Sequence, residues 1–182
     1  MPRPPQKLDL DRLMNYAAQA LSARALSQGE MRDRLKRRAA VQADVPEVLR
    51  RLKDAGFLND RKLADSFAGW RRDNQGLGKA RVVRDLMTRR IAPAVAQQAV
   101  EAAYAETDEI ALIEAFLTRK YRGKKLGDLL KEEKHLASAF RKLRGAGFSS
   151  GNSIRVLKRF AAQAEQLEDM PFEASEEPHA ED

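Results

Sequence analysis

The chain has 182 residues, 43% of them hydrophobic but only 6% aromatic, and carries a net charge of +7. That supplies enough apolar content, mostly Ala and Leu, for one or two helical domains, while β-branched and alternating runs are too scarce to support strands. The absence of cysteine excludes disulfides, thiolate metal sites and thiol nucleophiles, and no apolar stretch approaches the ~20 residues of a membrane span.

Residues 1–8 are Pro-rich and are expected to be disordered; no signal-like apolar core follows them, so a cytoplasmic location is expected. The periodicity predicts a first helix from Asp9 to Leu26 with Leu10, Leu13, Met14, Ala17 and Leu21 on one face. Ser27-Gln-Gly-Glu30 has capping-box spacing and predicts a second helix from Gln28, with Met31, Leu35 and Ala39 inward and Arg32, Lys36 and Arg37 exposed. A third helix is predicted after Asp44, with Pro46 in its first turn, ending at Ala55-Gly56-Phe57, where Gly takes the left-handed cap and Phe packs back.

The fourth helix begins around Leu58-Asn59-Asp60 and directs Leu63, Ala64, Phe67 and Trp70 inward. After a loop at 74–78, a fifth helix from Lys79 to Arg90 turns Val83, Leu86 and Met87 to the core and Arg81, Arg84 and Arg89 largely outward, and Pro93 opens a sixth. A seventh starts at Thr107-Asp108-Glu109, a basic loop spans Tyr121–Gly127, and an eighth runs over Lys131–Arg144 to a second Ala-Gly-Phe stop at 146–148. A ninth carries Ile154, Leu157 and Phe160.

This order predicts an all-α fold of three tandem three-helix, helix-turn-helix-like repeats, at 9–57, 58–106 and 107–162, with an acidic, disordered tail at 163–182. Leu35, Leu86 and Leu143 take equivalent places in the three middle helices.

Charge is unevenly distributed. The last 22 residues hold eight acids and no Lys or Arg, leaving 34 basic against 19 acidic residues before them, a net +15. Such a body attracts polyanions, nucleic acid first among them. The candidate phosphate contacts are Lys36, Arg37, Arg38, Arg71, Arg72, Lys79, Arg81, Arg84, Arg89, Arg90, Lys124, Lys125, Arg141, Lys142 and Arg144. Trp70 can serve as a base-stacking platform beside Arg71 and Arg72, or complete the apolar face of the fourth helix, and the spacing favours the second.

Catalytic chemistry finds no support. Gly76-Leu-Gly78-Lys79 lacks the spacing, the hydroxyl residue and the preceding strand of a phosphate-binding loop. His135 and His179 sit outside any metal-ligand spacing, and Asp60 and Asp108 read as helix-start groups. No catalytic residue, metal ligand or cofactor site is expected.

In order along the chain, Arg24-x-x-Ser27-x-x-Glu30, Leu35, Leu49-x-x-Leu52-x-x-x-Gly56-Phe57-Leu58-Asn59-Asp60 and Ala64 resemble the RecX regulatory family. Gly76-x-Gly78, Arg81, Leu86, Lys142-Leu143-x-x-x-Gly147-Phe148 and Ile154-x-x-Leu157 extend the likeness over about residues 10–160. The resemblance implies an elongated, curved array of the three repeats. It implies a non-enzymatic modulator of the RecA recombinase that lies on RecA–single-stranded-DNA filaments and inhibits ATPase, filament growth and strand exchange. A protein monomeric by itself, with no membrane contact, is expected. Lys79 stands where the family often has Pro, and Arg90 where Gly is expected before Ile91. From composition alone, a stand-alone basic DNA-binding or architectural protein is the alternative.

Overall fold

A computed structural model describes residues 7–169. These residues form ten α-helices: α1 Leu10–Ala23, α2 Gln28–Arg38, α3 Asp44–Asp54, α4 Asp60–Trp70, α5 Lys79–Thr88, α6 Pro93–Ala103, α7 Glu109–Lys120, α8 Leu126–Leu129, α9 Glu133–Gly145 and α10 Ser150–Leu157. A π-helical turn, Arg71–Gln75, follows α4, and a 3-10 segment, Ala162–Asp169, follows α10. Among the described residues there is no strand, only an isolated bridge between Leu8 and Ala39.

Helix starts follow local chemistry. Asp9 caps α1 by accepting from the Arg12 N–H, and Ser27 and Glu30 close the full capping box of α2. Leu26, one residue before that cap, is buried with Met31 in the position of a hydrophobic staple, so α1 ends at Ala23 rather than Leu26. The predicted basic loop at 121–127 instead enters the short helix α8.

The stops share one geometry. Gly56 has φ 76°, its N–H donates to Lys53 O (2.9 Å), and the Phe57 N–H donates to Leu52 O (2.9 Å), a Schellman closure. Gly147 and Phe148 repeat it on Arg144 and Leu143. Arg90 and Ile91 repeat it on Met87 and Leu86, with Arg90 at φ 61°. The aromatic residues then diverge: Phe148 is fully buried, whereas Phe57 is 66% exposed and does not pack back. Leu58 is buried in its place.

By contacts the chain divides into two units. The first comprises the described residues up to Ala68 with Asp85–Ala102, and the second Gly69–Arg84 with those from Ala103 onward. In the first, α1–α3 enclose Leu13, Met31, Leu35, Val48 and Leu52, each contributing about 1.5–3 kcal/mol by burial. In the second, α7, α9 and α10 enclose Ile113, Leu117, Leu136, Leu143, Phe148 and Leu157.

The expected acidic tail from residue 163 does not begin as disordered chain: Ala164 and Leu167, in the 3-10 segment, are buried in this second core. Residues 170–182 lie outside the described residues, as do 1–6. Of the expected disordered N-terminus, Leu8 is ordered, donating to Arg38 O (2.7 Å) and accepting from the Ala40 N–H (2.8 Å).

Three hydrogen bonds end on equivalent carbonyls, when α2, α5 and α9 are aligned on Leu35, Leu86 and Leu143. Arg38 O accepts from the Leu8 N–H, Arg89 O from the Ser27 hydroxyl, and Ala146 O from the Gly78 N–H (2.8 Å). Where Gly78 meets Gly147, a Cβ on Gly78 would lie 2.3 Å from the Gly147 carbonyl, so only glycine admits the backbone approach.

Candidate functional site

α2 and α3 diverge enough in the first unit to leave a groove of about 600 Å³. Val45, Pro46 and Leu49 give it an apolar lining, and Arg32, Lys36, Arg50 and Lys53 give it a basic one. The capping box fixes the rotation of α2, and burial of Met31 and Leu35 turns Arg32 and Lys36 outward, one helical turn apart. Arg50 is held by Glu47 and Asp54 (2.9 Å each). Among the described residues no ion pair engages Arg32, Lys36 or Lys53. The groove thus offers three long cations, unneutralised by any ion pair among the described residues, over an apolar surface.

The other predicted cations divide by what they already hold. In the first unit Arg37 is exposed, while Arg38 lies over the Tyr16 ring (5.2 Å). Arg90 reaches Asp33 at 3.4 Å. Arg89 turns inward, contrary to the expected outward face. Its guanidinium bonds Glu30 (3.1 Å) and Ala25 O (2.7 Å) and lies over Phe67, because Glu30 is already fixed by the capping box and gives it a partly buried anion. Burial pushes the Glu30 carboxyl up, but the Ser27 N–H, Arg89 and Arg24 outweigh it and hold it below the usual carboxylate range.

In the second unit Lys79, Lys124, Lys125 and Arg141 are exposed. Lys142 lies over Tyr121 (5.2 Å), Arg84 donates to Gly145 O (3.3 Å) and Arg144 to Phe148 O (2.6 Å). Arg72 pairs with Asp73 (2.6 Å) and also bonds Ala103 O. Arg81 is half-buried, its backbone pressed against Gly147. Arg71 has its guanidinium 5.8 Å from the centre of the Trp70 ring. Trp70 is 51% exposed and does not complete the apolar face of α4.

A second cleft, of about 520 Å³, is mixed in charge, with Lys79 and Arg144 facing Asp108 and Glu109. Glu109 spans from α7 to the start of α10, accepting from the Ser149 N–H (2.9 Å), the Ser149 hydroxyl (2.6 Å) and the Asn152 amide. Burial raises its pKa, yet these donors and the nearby Lys79 leave it below the ordinary value. This carboxylate holds two helices together, with three of its roughly four lone-pair sites already taken by donors. Among the described residues no three His, Cys, Asp or Glu side chains gather as metal ligands, and no helix is long and apolar enough to cross a membrane.

No family model matches the chain. The regulatory protein RecX of Deinococcus radiodurans is 30% identical over 155 residues, spanning 84% of this chain and 70% of that one. The chain belongs to the RecX family. The regulatory protein RecX of Amycolatopsis mediterranei is 27% identical over 157 residues, 82% of this chain and 85% of that one. The crystal structure of RecX from Lactobacillus salivarius superposes with a TM-score of 0.64 over 83% of this chain and 96% of that one. At 17% identity this last likeness establishes a RecX-like all-helical fold and nothing finer.

The groove joins to Lys36 two cations that are not among the candidate phosphate contacts in the sequence, Arg32 and Lys53. The signal was available for Arg32, which lies four residues before Lys36 on one helix face. Lys53 comes from α3 and joins them only through the packing of α3 on α2.

Proposed function

We propose that this RecX-family protein is a non-catalytic, cytoplasmic regulator of homologous recombination and DNA repair. Acting as a monomer, it binds RecA–single-stranded-DNA filaments and inhibits RecA ATPase, filament growth and strand exchange. The observation that carries the reading is the α2–α3 groove, in which Arg32, Lys36 and Lys53 stand unneutralised over an apolar surface. Lys79, Lys124, Lys125 and Arg141 add cations from the second unit. A ligand of this kind alters filament dynamics only by binding one filament state better than another.

The same reading takes the chain as three three-helix repeats. The equivalent hydrogen bonds on Arg38, Arg89 and Ala146 support it, the Leu8 segment supplying at the first repeat the bond that a preceding repeat supplies at the others. Several repeats engaging one filament would raise the effective concentration of each contact.

The test combines RecA, ATP and single-stranded DNA with the full chain and with the triple variant R32E/K36E/K53E. The wild type should slow ATP hydrolysis and strand exchange. The variant should bind the DNA more weakly, with a log–log salt slope shallower by about 2, the share of three phosphate contacts on a single strand. An unaltered ATPase rate at stoichiometric protein would refute the RecA reading, and tight sequence-selective duplex binding without RecA would favour a stand-alone DNA-binding factor.

A further inference from the structure

We infer that Trp70, with Arg71 beside it, is a stacking platform for a single nucleobase, specific for single-stranded nucleic acid. The inference rests on the nucleic-acid reading above and adds to it a contact with the base rather than the backbone.

Three observations converge on this ring. First, Trp70 is half exposed at the end of α4, although a tryptophan is among the residues that gain most from burial. Its exposure follows from helix geometry. The buried side of α4 is centred on Ala64 and Ala68, and at 3.6 residues per turn position 70 lies roughly 140° away from that centre.

Second, the backbone that carries the ring is over-determined. The α-helix gives way directly after Trp70 to the π-helical turn Arg71–Gln75, a geometry frequent at functional sites. That turn is closed by Gly76 in the left-handed region and by a side-chain bond from Arg71 to Gln75. Arg72 ties it to Ala103 O, and Arg119 donates to Gln75 O. The Asn74 amide donates to Trp70 O (3.2 Å). A ring held on such a frame loses little further freedom when a planar ligand stacks on it.

Third, the Arg71 guanidinium sits 5.8 Å from the ring centre. It lies over one face of the ring, so a base would stack on the opposite face with a cation close by for its phosphate. An apolar protein partner would take the ring but gain nothing from that charge. A single strand presents both a π face and a phosphate within one nucleotide.

Trp70 is the sole tryptophan of these 182 residues, so the chain carries its own reporter. Titration with a thymidylate oligomer should quench tryptophan fluorescence in step with the anisotropy rise of the labelled strand. Trp70→Ala should lower the affinity by about 5- to 150-fold, the range for one stacked base, and Trp70→Phe should recover part of it. An abasic phosphodiester strand of equal length should bind wild type and Trp70→Ala alike. Anisotropy without quenching, together with an unchanged Trp70→Ala affinity, would overturn the stacking role and leave the phosphate contacts standing. So would a Trp70→Ala protein that binds DNA normally but no longer affects RecA, since the ring would then be a protein contact. No anisotropy change at low salt would remove the nucleic-acid reading itself.

Discussion

Arg90 is the only non-glycine residue with positive φ among the described residues, at 61°. It closes α5 by the same Schellman bonds that Gly56 and Gly147 make for α3 and α9. The family resemblance marked this position as one where glycine is expected, and the Schellman stop, which needs φ > 0, is the physical reason. An L side chain there costs about 1–2 kcal/mol, of which glycine's greater freedom in the unfolded chain returns part. The lost pair with Asp33 matters little, since both side chains are largely in water. Arg90→Gly should therefore stabilise the protein by about 1 kcal/mol, read as a Tm rise of roughly 2–4 °C; an equal or lower Tm would show that the Arg90 side chain contributes more than its strain costs. The fates of Phe57 and Phe148 were not legible. Both follow an Ala-Gly pair at identical stops, and the second is buried because the core of α7, α9 and α10 closes over it, with Phe116 edge-on at 5.5 Å.

Most helix starts and stops were readable because each is decided within about five residues, as the Ser27–Glu30 box illustrates; the end of α1 and the start of α8 were not. Helix faces were less so. In α5 the buried residues are Val82 and Leu86 rather than Val83 and Met87, a rotation of the buried face that leaves Met87 45% exposed. The apolar residues alone fit either rotation, and the choice is made by what packs on the helix. The contact that fixes α5 at its start is the backbone approach of Gly78 to Gly147. Gly78→Ala should cost about 1–3 kcal/mol in a urea unfolding series, since the new methyl meets backbone that cannot yield as a side-chain tip can; no change would mean the turn relaxes freely. The α7–α10 clamp through Glu109 predicts a pH effect. Its carboxylate is held below the ordinary value, so its stabilisation is present above the unfolded pKa and is lost as pH falls through the lower, folded one. Thermal melts from pH 7 to pH 3 should show an acid-induced loss that is smaller in Glu109→Gln, whose Tm is already lower at neutral pH. Parallel pH profiles for the two proteins would exclude Glu109 as a source of the acid sensitivity.

For the whole molecule, net charge was legible from composition, but the point where the acidic tail begins was not. Acidity alone set it at residue 163, and burial moves it: Ala164 and Leu167 belong to the second core, beside helices whose stability they share. The contact units were also hidden from the sequence, because their boundaries pass inside the continuous helices α4, α5 and α6. Two truncations separate charge from core. Removing residues 170–182 deletes five acids and no Lys or Arg, raising the net charge from +7 to +12 while leaving every described contact in place. Single-stranded DNA should then bind more tightly at low salt, with the gain vanishing as the Debye length contracts to about 3 Å near 1 M. Cutting after residue 162 instead also strips Leu167 and Ala164 from the core. That shorter protein should lose about 2–4 kcal/mol of stability, the transfer and cavity cost of a buried Leu with a smaller share from Ala. If both truncations melt alike, the 3-10 segment contributes nothing to the core. If the first leaves DNA affinity unchanged at low salt, the tail exerts no field on the basic surfaces, and the +12 of residues 1–169 already acts undiminished.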